Sequence, residues 1–435
     1  MKFKKFGAAL LSGAMAASLV ACGGGSSSGG GSSSDEILIN IWDNNQKEGL
    51  QKIADKWSEK SGIKARIEVV DWDNYWTLLE SGASGGTLPD VFWMHSNTAQ
   101  MYMENDMLLN LDSYIKDAGL DMSVYYDGIT TLYQSGGSQY ALPKDHDTIA
   151  LLYNKAIFEQ YGVAVPTDNW SWNDVQKAAA EITQKSNGDV YGFAVNTSNN
   201  QDGWYNFVQG YGADIITADH KGTTIGSDKA KAGMEMLRQI LEVSAPQSVV
   251  AETGTESLFK SGKTAMITQG SWMINSFYTA ENAADYVWVE LPYADANGNG
   301  QEDAGERVSA YNGLGWAIKA DESRPQECFD LIAYFCSEEG QKLQAEYGVT
   351  MGGMKGVSEA FASAFEGMDV SAFTKVEETG TLYFRPYTRN TTVWEDAIQK
   401  EGAFLDAWLK PSDKDAMAKA CENAQKIIED AIAKE

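Results

Sequence analysis

Positive charge is in short supply. The 435-residue chain carries 34 Lys and Arg against 61 Asp and Glu, a formal charge of −27. A field of that sign repels nucleic acid and anionic lipid surfaces, which excludes both as partners. Histidine is scarcer still: His95, His146 and His220 show no metal-ligand spacing. Cysteine is rare, and Cys328, Cys336 and Cys421 make an odd number once Cys22 is set apart, which does not read as a disulfide framework. On one helix Cys328 and Cys336 lie about 12 Å apart, beyond a disulfide reach of about 7 Å, so buried free thiols are expected. Long apolar runs are also missing. The longest, Phe6 to Val20, is too short for a bilayer core that needs about 20 apolar residues, and a permanent membrane span is excluded.

That apolar run follows Lys2, Lys4 and Lys5, which is the pattern of a signal peptide over residues 1–21. It ends in Leu19-Val20-Ala21-Cys22, which resembles a bacterial lipobox, where the cysteine is acylated and becomes the new N-terminus. Gly23 to Ser34 contain only Gly and Ser, a flexible tether between a lipid anchor on Cys22 and a folded body. Cleavage before Cys22 removes three lysines, so the charge becomes 31 − 61 = −30. Gly23, in place of an inner-membrane retention aspartate, mildly favours a Gram-positive host.

About 400 residues remain, more than one core usually serves, so two lobes are expected. Ile37 to Trp42 reads as a strand. In Asn44 to Lys60, Leu50, Ile53, Ala54 and Trp57 recur at helical spacing, and Ala65 to Val70 reads as a second strand. The alternation continues through a helix at Trp72–Ser81, a strand at Asp90–Met94 and a helix at Thr98–Asn105. Strands separated by helices predict an α/β layer architecture with a mostly parallel sheet, and ligands sit beyond the carboxyl ends of such strands.

Those ends gather polar and aromatic residues: Trp42-Asp43-Asn44-Asn45-Gln46, Asp71-Trp72-Asp73 and Trp93-Met94-His95-Ser96-Asn97. A pyranose has an apolar face that packs on an aromatic ring, and its hydroxyls suit Asp, Asn and Gln. The chain has 13 tryptophans, several beside amides and carboxylates, although buried tryptophans at strand ends and the packing of one helix by Trp72 and Trp76 account for some of them.

Several segments together resemble the extracellular sugar-binding proteins of ABC importers, the maltose-binding-protein-like group. Thr87-Leu88-Pro89-Asp90-Val91-Phe92 is similar to the family's first-lobe strand entry. Tyr140 to Pro143 followed by Thr148 to Lys155 resembles its first interlobe crossing, and Pro166 to Trp172 the start of its second-lobe helices. Phe259 to Trp272 resembles the strand that ends in a sugar-stacking tryptophan; Gly313 to Lys319 and the helix toward Gly340 match the return to the first lobe. The resemblance covers nearly the whole mature chain in order. It implies a two-lobed, periplasmic-binding-protein type II-like fold with a hinge and an interlobe cleft. The N-lobe is expected at 35–147 plus 291–348 and the C-lobe at 148–290 plus 349–435. The resemblance also implies Trp272 and Trp394 as stacking aromatics, with Asp145 and Asp147 accepting hydroxyl bonds. Position and residue type add Trp42, Asp43, Asn45, Trp72, Trp93, His95, Asp202, Trp204, Tyr311 and Arg385 as candidate ligand contacts.

Other motifs weigh less. Gly82-Ala83-Ser84-Gly85-Gly86 fits G-x-S-x-G, yet a nucleophile elbow needs a strand before the serine. Ser257 to Thr264 ends like a phosphate-binding loop but has serine where the first glycine is required. Asp145 and Asp147, two residues apart, suit binding better than the acid and base of a glycosidase. Asp295, Asn297, Asn299, Gly300 and Glu306 match D-x-[DN]-x-[DN]-G-x₅-E, which with the backbone of Gln301 implies a structural calcium loop; the strand-like flanks fit an acidic hairpin turn equally.

The function expected from all this is a lipid-anchored, monomeric receptor on the outer face of the cytoplasmic membrane. It captures an oligosaccharide of two or more residues between its lobes, needs no cofactor for that, and delivers the sugar to ABC permease subunits without catalysis. The alternatives are a secreted carbohydrate-active enzyme and a binding protein for a non-sugar solute such as a peptide or polyamine.

Overall fold

A computed structural model describes residues 36–85, 87–399, 402 and 404–435. The signal peptide, Cys22 and the Gly/Ser tether lie outside the described residues. The first lobe opens with β1 (Glu36–Ile41), β2 (Lys64–Val69) and β3 (Val91–Met94), adds a small hairpin of β4 (Gln134–Ser135) and β5 (Ser138–Gln139), and continues with β6 (Ala141–Pro143). β7 (Ile149–Asn154), β8 (Met266–Gly270) and β9 (Tyr286–Glu290) belong to the second lobe; then come β10 (Val308–Tyr311), β11 (Gly315–Ile318) and β12 (Thr381–Phe384).

Each early element forms for a readable reason. Ile37, Ile39 and Ile41 of β1 are fully buried because helices cover its sheet. The helix Asn44–Ser61 starts at Asp43, whose side chain accepts a hydrogen bond from the Asn45 amide, and ends at Gly62, where φ is 78°. Its buried face is Leu50, Ile53, Ala54 and Trp57, the predicted stripe.

The first sheet has the order β2-β1-β3-β11-β6. β1 is parallel to β2 and β3, as the β-α-β pattern predicts, whereas β11 is antiparallel to both β3 and β6. The second sheet, β8-β7-β9, is antiparallel throughout. The expectation of mostly parallel pairing therefore fails beyond the first three strands. A strand that arrives from the other lobe makes no helical crossover within its own sheet, and that crossover is what enforces parallel pairing.

Three connecting segments lie side by side between the lobes. Lys144 N donates to Leu314 O at 2.8 Å, Asp147 N to Asn312 O at 2.7 Å and His146 N to Met351 O at 3.3 Å. β10 and β12 form a parallel pair beside them. One core gathers around β1, β3 and β11, another around β7 and the helices Trp172–Lys185 and Asp228–Leu241. Leu291 and Ala310 pack in the second of these, and Tyr293 N donates to Trp170 O. The stretch 291–310, assigned to the N-lobe from sequence, thus packs with C-lobe elements, because the chain stays on that lobe until it reaches the junction at Tyr311.

Cys328, Cys336 and Cys421 are free and buried, and burial raises all three thiols, Cys421 to about 12. No helix among the described residues is long and apolar enough to cross a membrane.

Candidate functional site

An aromatic wall stands at the carboxyl ends of β1 and β3. Trp42 follows β1, Trp72 opens the helix Trp72–Gly85, and Trp76 lies one turn further on the same face. Trp42 and Trp72 meet edge to face at 5.1 Å and 85°, Trp72 and Trp76 at 5.4 Å and 83°, and Trp72 and His95 at 5.6 Å and 82°. Trp72 remains 42% exposed, Trp42 and Trp76 are partly buried, and Trp93 is fully enclosed behind Trp42 at 4.9 Å. Burial, followed by the charge of Arg385, pushes His95 down to about 3, so its imidazole is neutral.

Polar groups adjoin the wall. Asp43, partly buried, accepts from Asn45 N at 2.8 Å and from Gln46 Nε2 at 3.0 Å; burial raises its carboxyl. Asn45 is exposed on the first turn of the same helix. Asn312 joins both lobes: its Oδ1 accepts from Ser96 Oγ at 2.9 Å, its Nδ2 donates to Gln201 Oε1 at 3.2 Å, and the same nitrogen is 3.3 Å from His95 Nε2.

The two crossing carboxylates differ in what they face. Asp145 is enclosed, accepting from Leu314 N at 2.7 Å, from Thr350 Oγ1 at 3.2 Å and from Lys144 Nζ. Asp147 accepts from Ser271 Oγ at 3.0 Å, and burial and then Asp145 raise its carboxyl well above the usual range. Trp272 follows Ser271 at the end of β8, partly buried, with its ring so close to Gly270 that a Cβ there would come within 1.9 Å. Only glycine fits beneath it.

The match to bacterial extracellular solute-binding proteins covers residues 43–342, which hold Trp72 and Trp76 of the aromatic wall, both crossing carboxylates and Trp272. The chain belongs to that family. This solute-binding protein is 24% identical over 357 residues to the galactooligosaccharide-binding protein of Bacillus subtilis, covering 79% of each chain. It is also 24% identical over 249 residues to a binding protein of Brucella abortus, matching 56% of this chain and spanning 59% of that relative's length. Among solved structures, an ABC substrate-binding protein of Listeria monocytogenes in complex with cycloalternan superimposes with a TM-score of 0.78 at 19% identity, covering 92% of this chain and 99% of that one. The GacH receptor of Streptomyces glaucescens, solved unliganded and with acarbose, gives 0.76 at 19% identity over 91% and 98%. At these identities the structures establish the two-lobed α/β fold.

Within this solute-binding protein several sequence candidates lie away from the wall. Trp204 is enclosed in the second core against Tyr205, Phe404 and Trp408. Trp394 is enclosed there too, on the inner face of the helix Thr391–Gln399, its Nε1 donating to Thr388 Oγ1 at 3.2 Å. Trp93 is fully buried in the first core. The sequence puts these three among the candidate ligand contacts, whereas the structure packs all three rings inside the cores. Tyr311 is likewise buried, stacked on His146 at 5.4 Å and 27°. Arg385 is buried with Nη2 donating to Glu395 Oε1 at 2.6 Å, while its Nη1 has no hydrogen-bond partner among the described residues. Asp202 Oδ1 also lacks a donor among the described residues, and burial raises that carboxyl well above its usual range.

Sequence reasoning did not single out Gln46, Lys144, Gln201 or Asn312. Gln46 carried a signal: an N-cap Asp43 followed three residues later by Gln is the spacing of a capping pair. The other three are brought together only by the crossing of the chain.

The loop of Asp295, Asn297, Asn299, Gln301 and Glu306 closes on itself. Gly300 N donates to Asp295 Oδ1, Asn299 N to Asn297 Oδ1, Gln301 N to Asn299 Oδ1, and Ala296 N and Asp303 N to the two oxygens of Glu306. Among the described residues no group of three or more His, Cys, Asp or Glu is placed to hold a metal ion. The arrangement therefore adds nothing to the sequence match for calcium. The helix Trp72–Gly85 runs through Ser84, which leaves no elbow for a nucleophile.

Proposed function

We propose that the protein is a receptor that captures an oligosaccharide between its lobes, closes on it, and hands it to the permease of an ATP-driven importer. The observation that carries this reading is the wall of Trp42, Trp72 and Trp76 beside Asp43, with Trp272 at a strand end of the other lobe. Aromatic faces next to carboxylates and amides suit a ligand with apolar ring faces and hydroxyl edges. The sugars in the names of its relatives, galactooligosaccharide, cycloalternan and acarbose, support the same ligand class. Binding drives closure only through contacts made better in the closed form, so the ligand touches both lobes at once.

The protein binds without cleaving. Of the crossing carboxylates, Asp145 has its oxygens engaged by the junction, so Asp145 and Asp147 do not serve together as the acid and base of a glycosidase. The leader and Cys22 support a protein tethered by lipid to the outer face of the cytoplasmic membrane, and a monomer is what the family resemblance implies.

Intrinsic tryptophan fluorescence of the domain from residue 35 onward, titrated with a panel of oligosaccharides and followed by product analysis, tests the reading. A saturable change with intact sugar is expected. Turnover of a sugar would replace the receptor with an enzyme, and silence across the panel would point to a non-sugar solute.

A further inference from the structure

Lys144 stands on the first connecting segment and is fully buried. Removing an ammonium from water is costly unless it is paired and bonded. Here Nζ meets Asp145, donates to Gln46 Oε1 at 2.8 Å and lies 4.5 Å above the Trp93 ring. Each of these contacts leads elsewhere. Asp145 binds the second connecting segment through Leu314 N and the third through Thr350. Gln46 Nε2 donates to Asp43 Oδ2 at 3.0 Å, and Trp93 backs Trp42. One ammonium therefore touches the junction of the three connections on one side and both the polar and the aromatic parts of the proposed ligand wall on the other.

We propose that Lys144 is a positioning residue that couples the hinge to the ligand wall, acting through Gln46 on Asp43. The inference rests on Asp43 being a ligand contact, as proposed above. Gln46 presents its carbonyl to Lys144 and its amide to Asp43, so it transmits orientation between two charged groups that do not touch. Asp43 Oδ1 is taken by Asn45 N and Oδ2 by Gln46, and each carboxylate oxygen keeps a further lone pair for a sugar hydroxyl. A shift of the junction would move Lys144, and with it the acceptor geometry at the wall.

The charged groups facing Asp43 come from two elements. Lys144 and Asp147 lie on the first connection, and Glu256 on the helix Thr255–Lys260. Burial raises the Asp43 carboxyl, while Asn45, Gln46 and Lys144 hold it down and Glu256 raises it further. An ionised Asp43 accepts hydroxyl bonds and a protonated one loses an acceptor, so affinity falls on the acid side as Asp43 takes up its proton.

Gln46→Met cuts the relay while leaving the Lys144–Asp145 pair and the Asn45 cap bond in place. The expected result is about tenfold weaker binding of the best saccharide, the size of one lost bond to a charged group. The acid limb of the affinity–pH profile is expected to move to higher pH, because a group that held the carboxyl down is gone. A merely structural role for Gln46 does not move that limb. Unchanged affinity with an unchanged limb in Gln46→Met overturns the relay. Asp43→Asn binding as tightly as the unaltered protein overturns the contact on which the relay rests. Failure of the unaltered protein to bind any saccharide overturns the sugar reading instead.

Discussion

The indole rings of Trp42 and Trp72 stand perpendicular, 5.1 Å apart, and only Trp72 is substantially exposed. Trp93 touches the same Trp42 from inside the core. These neighbours are expected to respond differently to truncation. Trp72→Ala removes a half-exposed face, so the melting temperature should move little while saccharide affinity drops by about tenfold. Trp93→Ala opens a cavity beneath the wall and should cost about 3–5 kcal/mol in denaturant unfolding. Loss of stability in Trp72→Ala without loss of affinity would make Trp72 a packing residue.

Trp394 and Trp272 were both expected to stack on sugar, and the fold separates them. Trp394→Phe keeps most of the buried apolar volume but drops the Nε1–Thr388 bond. It should lower stability by about 1 kcal/mol and leave saccharide affinity within twofold. Trp272→Ala is expected to weaken binding more than it destabilises, as measured by calorimetric titration beside thermal melts.

This contrast shows how far the sequence was legible. Leu50, Ile53, Ala54 and Trp57 announced their helix because a 3.6-residue period follows from one buried face, and the matching strands fell within a residue or two. The site was less readable. Trp42, Trp72, Trp93 and Trp394 are one residue type, and whether a ring faces solvent depends on what the opposite side of the sheet or helix packs against. The bonds from Asn312 to Gln201 and from Lys144 to Gln46 join residues more than 90 apart in the chain, which no local pattern encodes. Antiparallel pairing of β11 escaped for the same reason.

His146 lies on the first connection with Nδ1 2.6 Å from Gly352 O and Nε2 2.8 Å from Glu377 Oε1. Both ring nitrogens therefore have a polar partner, one on the third connection and one on the helix Ala372–Thr379. Glu377→Leu removes that partner and leaves one buried ring nitrogen unsatisfied. The expected cost is about 1–3 kcal/mol in chemical unfolding, the penalty for one buried polar group losing its bond. His146→Gln tests the same contact from the other side: combined with Glu377→Leu, it should add much less than its separate effect, because the interaction is already gone. Additive losses would show that the two side chains do not act as a pair.

Asp202 is buried, its Oδ1 has no donor among the described residues, and burial raises its carboxyl well above the ordinary value. The folded protein therefore holds that proton more tightly than the unfolded chain does. By linkage, the group's contribution to stability is complete below the unfolded carboxyl value of about 3.9 and is lost as pH rises through the raised folded value. At neutral pH the protein folds around a carboxyl that either keeps its proton against bulk solution or is charged in a buried site. Asp202→Asn removes the titration while keeping the shape. It should raise the melting temperature at pH 8, and the gain should shrink toward nothing near pH 3, where the aspartate is protonated in both states. A gain of equal size at both pH values would assign the effect to packing and not to the buried charge.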